Sequence, residues 1–206
     1  WVGKAIALAL FTTSLSSCGL FGDPNRVAEE SLGPKAGRDV RAFYEARQWQ
    51  KGWGGKSEKQ LVEIIGAAAK HGLNADLFLK GELPEDSGQR DAALTTAALR
   101  YASALARGYS DPKKLRKIYT VPRPKADVVP GLSKAIEDGK LADWYASLAP
   151  QTDEYRMMAQ EFVRYARLNG SRGSEAAGDR ARHLAVNLER LRWLDRDPPA
   201  TRIDVN

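Results

Sequence analysis

The sequence predicts an all-α fold, an irregular bundle of short and medium helices. Apolar residues recur at spacings of three and four in segment after segment, the period of a helix with one buried face. Those segments open on capping residues or an Asp-Pro pair and close on Gly or Pro, which are helix start and stop signals. Strand-like alternation of apolar and polar residues occurs only in Thr201-Arg-Ile-Asp-Val-Asn206, which reads as the start of a β-strand leading into a further domain.

With 206 residues, 43% hydrophobic and 28% charged, the chain has room for one ordinary domain plus a leader and is too apolar for general disorder. The formal net charge of +6 admits an acidic partner. The basic residues alternate with acids along amphipathic helices, however, which predicts a solvated surface and no nucleic-acid partner. Residues 1–17 predict a lipoprotein signal peptide: Lys4 precedes an apolar run from Ala5 to Phe11, too short to span a bilayer permanently. Leu15-Ser-Ser-Cys18 ends it in the manner of a lipobox, so Cys18 is the expected lipidation site and membrane tether. Cys18 is the single cysteine, which excludes an intrachain disulfide. Residues 18–36 predict a flexible tether; a coil of that length spans roughly 20–25 Å.

The helical domain is expected over residues 37–168. Val40, Phe43, Tyr44 and Arg47 share a helical register that Gly52-Trp-Gly-Gly55 breaks, with the aromatic residues in the core. Ser57-Glu-Lys-Gln60 has the form of a capping box. The helix after it buries Leu61, Ile64, Ile65, Ala68 and Ala69 and stops at Gly72, with His71 at its C-terminal end. A helical turn follows from Asn74 to Leu79, then a loop from Gly81 to Gly88. The strongest helix runs from about Gln89 to Arg107, with Leu94, Ala97, Ala98, Tyr101 and Leu105 on one stripe and Asp91 complementing its dipole. Asp111 and Pro112 start the next turn. Residues 119–130 read as proline-rich and irregular. Two short helices carry Leu132, Ala135 and Ile136, then Leu141, Trp144, Tyr145 and Leu148. Thr152 caps a helix to about Leu168 that turns Tyr155, Met158, Ala159, Phe162 and Ala166 inward, with Met157 and Met158 filling core gaps.

Residues 169–179 are Gly- and Ser-rich and predict a flexible linker. Residues 180–206 then hold an amphipathic helix and the strand. In that helix Leu184, Leu188 and Leu191 form the dry face, while Glu189, Arg190 and Arg192 are assigned to water. A helix this short is marginal by itself, so its apolar face, with Trp193, is expected to dock on the upstream bundle. Asp195-Arg-Asp-Pro-Pro199 ends it.

Asn187-Leu-Glu-Arg-Leu-Arg-Trp-Leu194, with the proline break and strand after it, resembles the segment leading into the catalytic domain of large periplasmic L,D-transpeptidases. Several upstream features are similar to that family too: Phe43-Tyr44 with Arg47 and Trp53, His71-Gly-Leu73, Arg107-Gly-Tyr-Ser-Asp-Pro112, and Leu148-Ala-Pro-Gln151 with Tyr155. The chain departs from the family at Leu191, where a tryptophan is usual, and at 169–178, where a peptidoglycan-binding repeat is common. The resemblance implies that residues 37–168 are the scaffold domain of an enzyme that crosslinks peptidoglycan stem peptides through an acyl-enzyme on cysteine. The catalytic domain is then expected beyond the residues in hand, with peptidoglycan engaged through it and the protein lipid-anchored in the periplasm.

No residue is assigned a catalytic role. The family's nucleophile lies in a Ser-His-Gly-Cys string, where the histidine favours the thiolate; residues 1–206 contain no such string. His71 and His183 have no cysteine beside them, and no metal-binding, phosphate-binding or dinucleotide motif occurs. No metal and no cofactor are expected. The rival reading is a self-contained, membrane-anchored helical binding lipoprotein of the envelope without enzymatic activity.

Overall fold

A computed structural model describes residues 23–33, 36–115 and 124–194. The leader with Cys18, and the strand expected from Thr201, lie outside the described residues. Those described form eight α-helices and no strand, as the periodicity predicted: α1 (Arg38–Ala46), α2 (Gly55–Gly66), α3 (Ser87–Arg107), α4 (Pro112–Leu115), α5 (Val128–Glu137), α6 (Leu141–Leu148), α7 (Asp153–Arg172) and α8 (Glu175–Trp193).

α3 is the post around which the others stand; α1, α2, α5, α6 and α8 all pack on it. Its predicted stripe is buried throughout, with Leu94, Ala97, Ala98, Tyr101 and Leu105 each no more than 2% exposed. The alanines Ala98, Ala102 and Ala104 are equally buried, and their small side chains let neighbouring helices approach closely. Tyr145 of α6 reaches across and donates its hydroxyl to the carbonyl of Ala98 at 3.0 Å.

The aromatic group of α1 is core, as expected. Phe43 and Tyr44 are fully buried, and Trp53 nearly so. Asp91, assigned to the helix dipole from sequence, is instead buried beneath them. Its carboxylate accepts the amides of Gly52 at 3.1 Å and Trp53 at 3.0 Å, and the Tyr44 hydroxyl at 2.6 Å. Thr95, one turn on, shares a hydrogen bond with Tyr44 at 2.8 Å and accepts from the Trp53 indole at 2.9 Å. A carboxylate can be buried when its lone pairs are met in this way. Burial, then the Asp91 charge, pushes the Tyr44 phenol far above its ordinary range.

Several boundaries shift. α2 starts at Gly55, and Ser57 sits in its first turn, its hydroxyl accepting the Gly54 amide at 3.0 Å. Ala69 of the next segment is exposed. α5 begins at Val128 behind the Asp127 cap and takes Pro130 into its first turn, where a helix has no use for the missing amide. Met157 is 61% exposed and fills no core gap; only Met158 packs inward.

Within the tether expected over 18–36, the described residues include a segment packed on the bundle. Val27 is buried, its amide bonded to the carbonyl of Trp49 at 2.8 Å, and Glu29–Leu32 forms a 3₁₀ turn packed on α3. Likewise the linker expected over 169–179 is a tight turn. α7 continues through Asn169 and Gly170 to Arg172, and Ser174 caps α8 by accepting the Ala177 amide at 3.3 Å. Packing of α7 against α8 outweighs the low helix propensity of those glycines.

Leu94 is 1% exposed at the centre of the post. Leu94→Ala should lower the free energy of unfolding by about 2–5 kcal/mol, read from urea denaturation curves.

Candidate functional site

The most elaborate polar cluster lies where α8 joins the bundle. α8 docks by Leu184 and Leu188, which are 8% and 0% exposed, with Leu191 packed against the core beside them. The docking expected from the sequence is therefore present. The same spacing carries Arg192, four residues after Leu188, to the inside. Arg192 is 0% exposed, which corrects its assignment to the wet face; the side chain of Glu189 is only 14% exposed.

Two glycines make room for this helix. Gly72 ends the Ala67–His71 3₁₀ segment with φ 67°, and a Cβ there would sit 3.2 Å from Ala185 Cα and from Leu188 Cδ1. Gly108 follows α3 with φ 83°, and its Cβ would lie 2.5 Å from Trp193 Cδ1. Each position combines a positive φ that favours glycine with the close approach of α8.

Arg192 Nη1 donates to the carbonyl of His71 at 2.9 Å and to the Tyr155 hydroxyl at 2.8 Å. Nη2 donates to Glu189 Oε2 at 2.8 Å. Glu189 Oε1 accepts the Ser110 amide at 2.7 Å and the Trp193 indole at 3.0 Å. Burial pulls the Glu189 carboxyl upward, but the Ser110 amide and the Arg192 charge outweigh it and hold the group below its ordinary value. Tyr155 also meets His71 Nδ1 at 3.1 Å. Burial first, then the charges of Arg192 and Lys70, push the His71 imidazole down to about 4, so it is neutral near pH 7. One cation thus ties the end of the Ala67–His71 segment, α7, α8 and, through Glu189, the loop after α3.

The cluster joins elements and contains no nucleophile. Tyr155 is buried and hydrogen-bonded, and His71 is read correctly as the end of its helical segment. His183 lies on the exposed side of α8. Among the described residues no group of His, Cys, Asp and Glu side chains is placed to hold a metal. No helix among them is long and apolar enough to cross a membrane. Arg192 and Glu189 were legible in principle: Leu184, Leu188 and Arg192 stand at steps of four, so a face that buries the leucines buries the arginine.

The family described as Scaffold domain matches residues 38–162, more than half of the chain. The chain belongs to that family. No curated protein and no solved structure matches it. The Scaffold domain match takes in α1 to α6 and the first half of α7, so His71 and Tyr155 lie inside it. Arg192 and Glu189 lie outside, on the helix that the Scaffold domain receives.

Arg192→Ala should speed amide exchange across residues 184–193 at least tenfold relative to Leu94–Leu105, measured by hydrogen–deuterium exchange. Acid should weaken the fold through His71. Its folded value of about 4 lies below the ordinary 6.5, so the unfolded chain takes up the proton first. That stabilisation is complete above pH 6.5 and is lost as pH falls toward 4. In thermal melts, His71→Gln should flatten the pH dependence in this window.

Proposed function

We propose that this chain is the non-catalytic scaffold portion of an L,D-transpeptidase that crosslinks peptidoglycan stem peptides in the cell envelope. The Scaffold domain membership supports a scaffold role. The observation that carries the finer reading is the docking of α8, the helix whose Asn187–Leu194 stretch resembles the lead-in to the catalytic domain of those enzymes. A helix pinned by Leu188 and Arg192 delivers the chain at Leu194 in a defined direction, which is what a scaffold must do to orient the part that follows. In this reading the acyl-enzyme cysteine belongs to sequence outside residues 1–206. The described domain positions it, and a lipid on Cys18 holds the protein at a periplasmic membrane face. Two or more acyl chains on one residue give stable anchoring where one does not.

The test is muropeptide analysis of cells with and without the gene. L,D-crosslinked species should fall on deletion and return with the wild-type gene, whereas Cys18→Ala should move the protein out of the membrane fraction. Unchanged crosslinks after deletion would refute the transferase reading and leave the rival, a helical binding lipoprotein.

A further inference from the structure

A cavity of about 500 Å³ borders the His71–Tyr155 pair between the Ala67–His71 segment, the end of α6 and the first half of α7. That volume lies within the range of small-ligand sites, roughly 300–1,000 Å³. Ala149, Pro150, Ala159 and Val163 give it an apolar floor. Lys70 and Arg156 stand at its rim, and no carboxylate belongs to the lining. Arg156 pairs with Asp153, which is exposed and outside the cavity, so the lining itself is cationic.

The joint under α8 fixes a third polar group in the lining. A guanidinium only donates, so Tyr155 accepts from Arg192, and its hydroxyl meets His71 Nδ1 at 3.1 Å, which holds the imidazole ring at the cavity wall. Two glutamines add amide chemistry. Gln151 donates to the carbonyls of Ala146 and Ala149 at 2.9 and 2.6 Å, which leaves its oxygen to accept; Gln160 is exposed and both donates and accepts.

We propose that this cavity captures the carboxyl terminus of a partner polypeptide whose last residues are apolar. Lys70 and Arg156 hold the carboxylate beside the His71 ring, and Gln151 and Gln160 hold the last peptide groups. The cations call for an anion and the floor for aliphatic side chains. Paired amide donors and acceptors fit a peptide better than a fatty acid, which has nothing to offer them. Capture of a polypeptide's terminal carboxylate is an established recognition mode, carried elsewhere by backbone amides and here by side-chain cations. The inference stands apart from the transferase reading, which it neither needs nor supports.

The experiment titrates the chain with acetyl-Ala-Val-Ala-Val bearing a free carboxylate, with its C-terminal amide and with octanoate, following the imidazole resonances of both histidines by NMR. The free acid should shift His71 and leave the exposed His183 in place. It should also raise the titration midpoint of His71, because a carboxylate joins Tyr155, Arg192, Lys70 and Arg156 around the ring. The amide should bind at least tenfold more weakly, and so should octanoate. The double variant Lys70→Glu, Arg156→Glu changes two exposed side chains; it should keep its melting temperature and lose at least tenfold in affinity for the acid. Equal binding of acid and amide, octanoate binding as tightly as the peptide, unaltered affinity in the double variant, or no His71 shift at millimolar peptide would each overturn the proposal.

Discussion

A guanidinium with no exposed surface must find its partners where it sits, and Arg192 finds them on two other parts of the chain and on its own helix. The His71 carbonyl, the Tyr155 hydroxyl and Glu189 converge on it, and Glu189 passes the constraint on to Ser110 and Trp193. Hydrogen bonds to charged groups contribute more than neutral ones, about 1.5–3 kcal/mol each. Removing one member of a buried pair leaves an uncompensated charge, so breaking the pair costs more than the intact pair adds to stability. Nε of Arg192 is buried without a hydrogen bond, at a cost of about 1–3 kcal/mol. The joint is therefore specific before it is strong, and α8 has one seat.

Asp91 does the same work beneath α1. It gathers the amides of Gly52 and Trp53 and the Tyr44 hydroxyl, so the glycine-rich turn between α1 and α2 is held by a side chain of α3. The two buried charges have opposite sign. Asp91 lies in the second turn of α3, near its start, and Glu189, the partner of Arg192, receives the amide of Ser110 just beyond that helix's last turn. The post is fastened to its surroundings by charge at both ends, with the alanine and leucine stripe packed between.

Most of the bundle was legible because helices announce themselves by period and by cap. Thr152, Asp111 and Gly72 act as the sequence predicts, and the α3 stripe is buried residue for residue. The failures share a cause. Glu189 and Arg192 were placed in water and Asp91 was given to the helix dipole, each by residue type, although Arg192 falls at a step of four from buried Leu188. Composition also misled at 169–179, where glycines and serines suggested a flexible joint and pairing of α7 with α8 produced two helices joined by a tight turn. Val27 was invisible for another reason. It is one apolar residue in a polar stretch, and its backbone bond to Trp49 involves a residue with φ 64°, a conformation that no local pattern signals.

Arg192 reaches back 121 residues to His71, and this separation bears on the order in which the domain assembles. A chain that emerges from its amino end presents α1 to α7 well before the last residues of α8 are available. Until then Tyr155 and His71 stand beside a gap, and the Gly72 and Gly108 turns face open space. Contacts this distant in sequence form late, since the loop-closure entropy must be met before they return anything. Completion of the described bundle therefore waits on α8, the last of its elements in chain order.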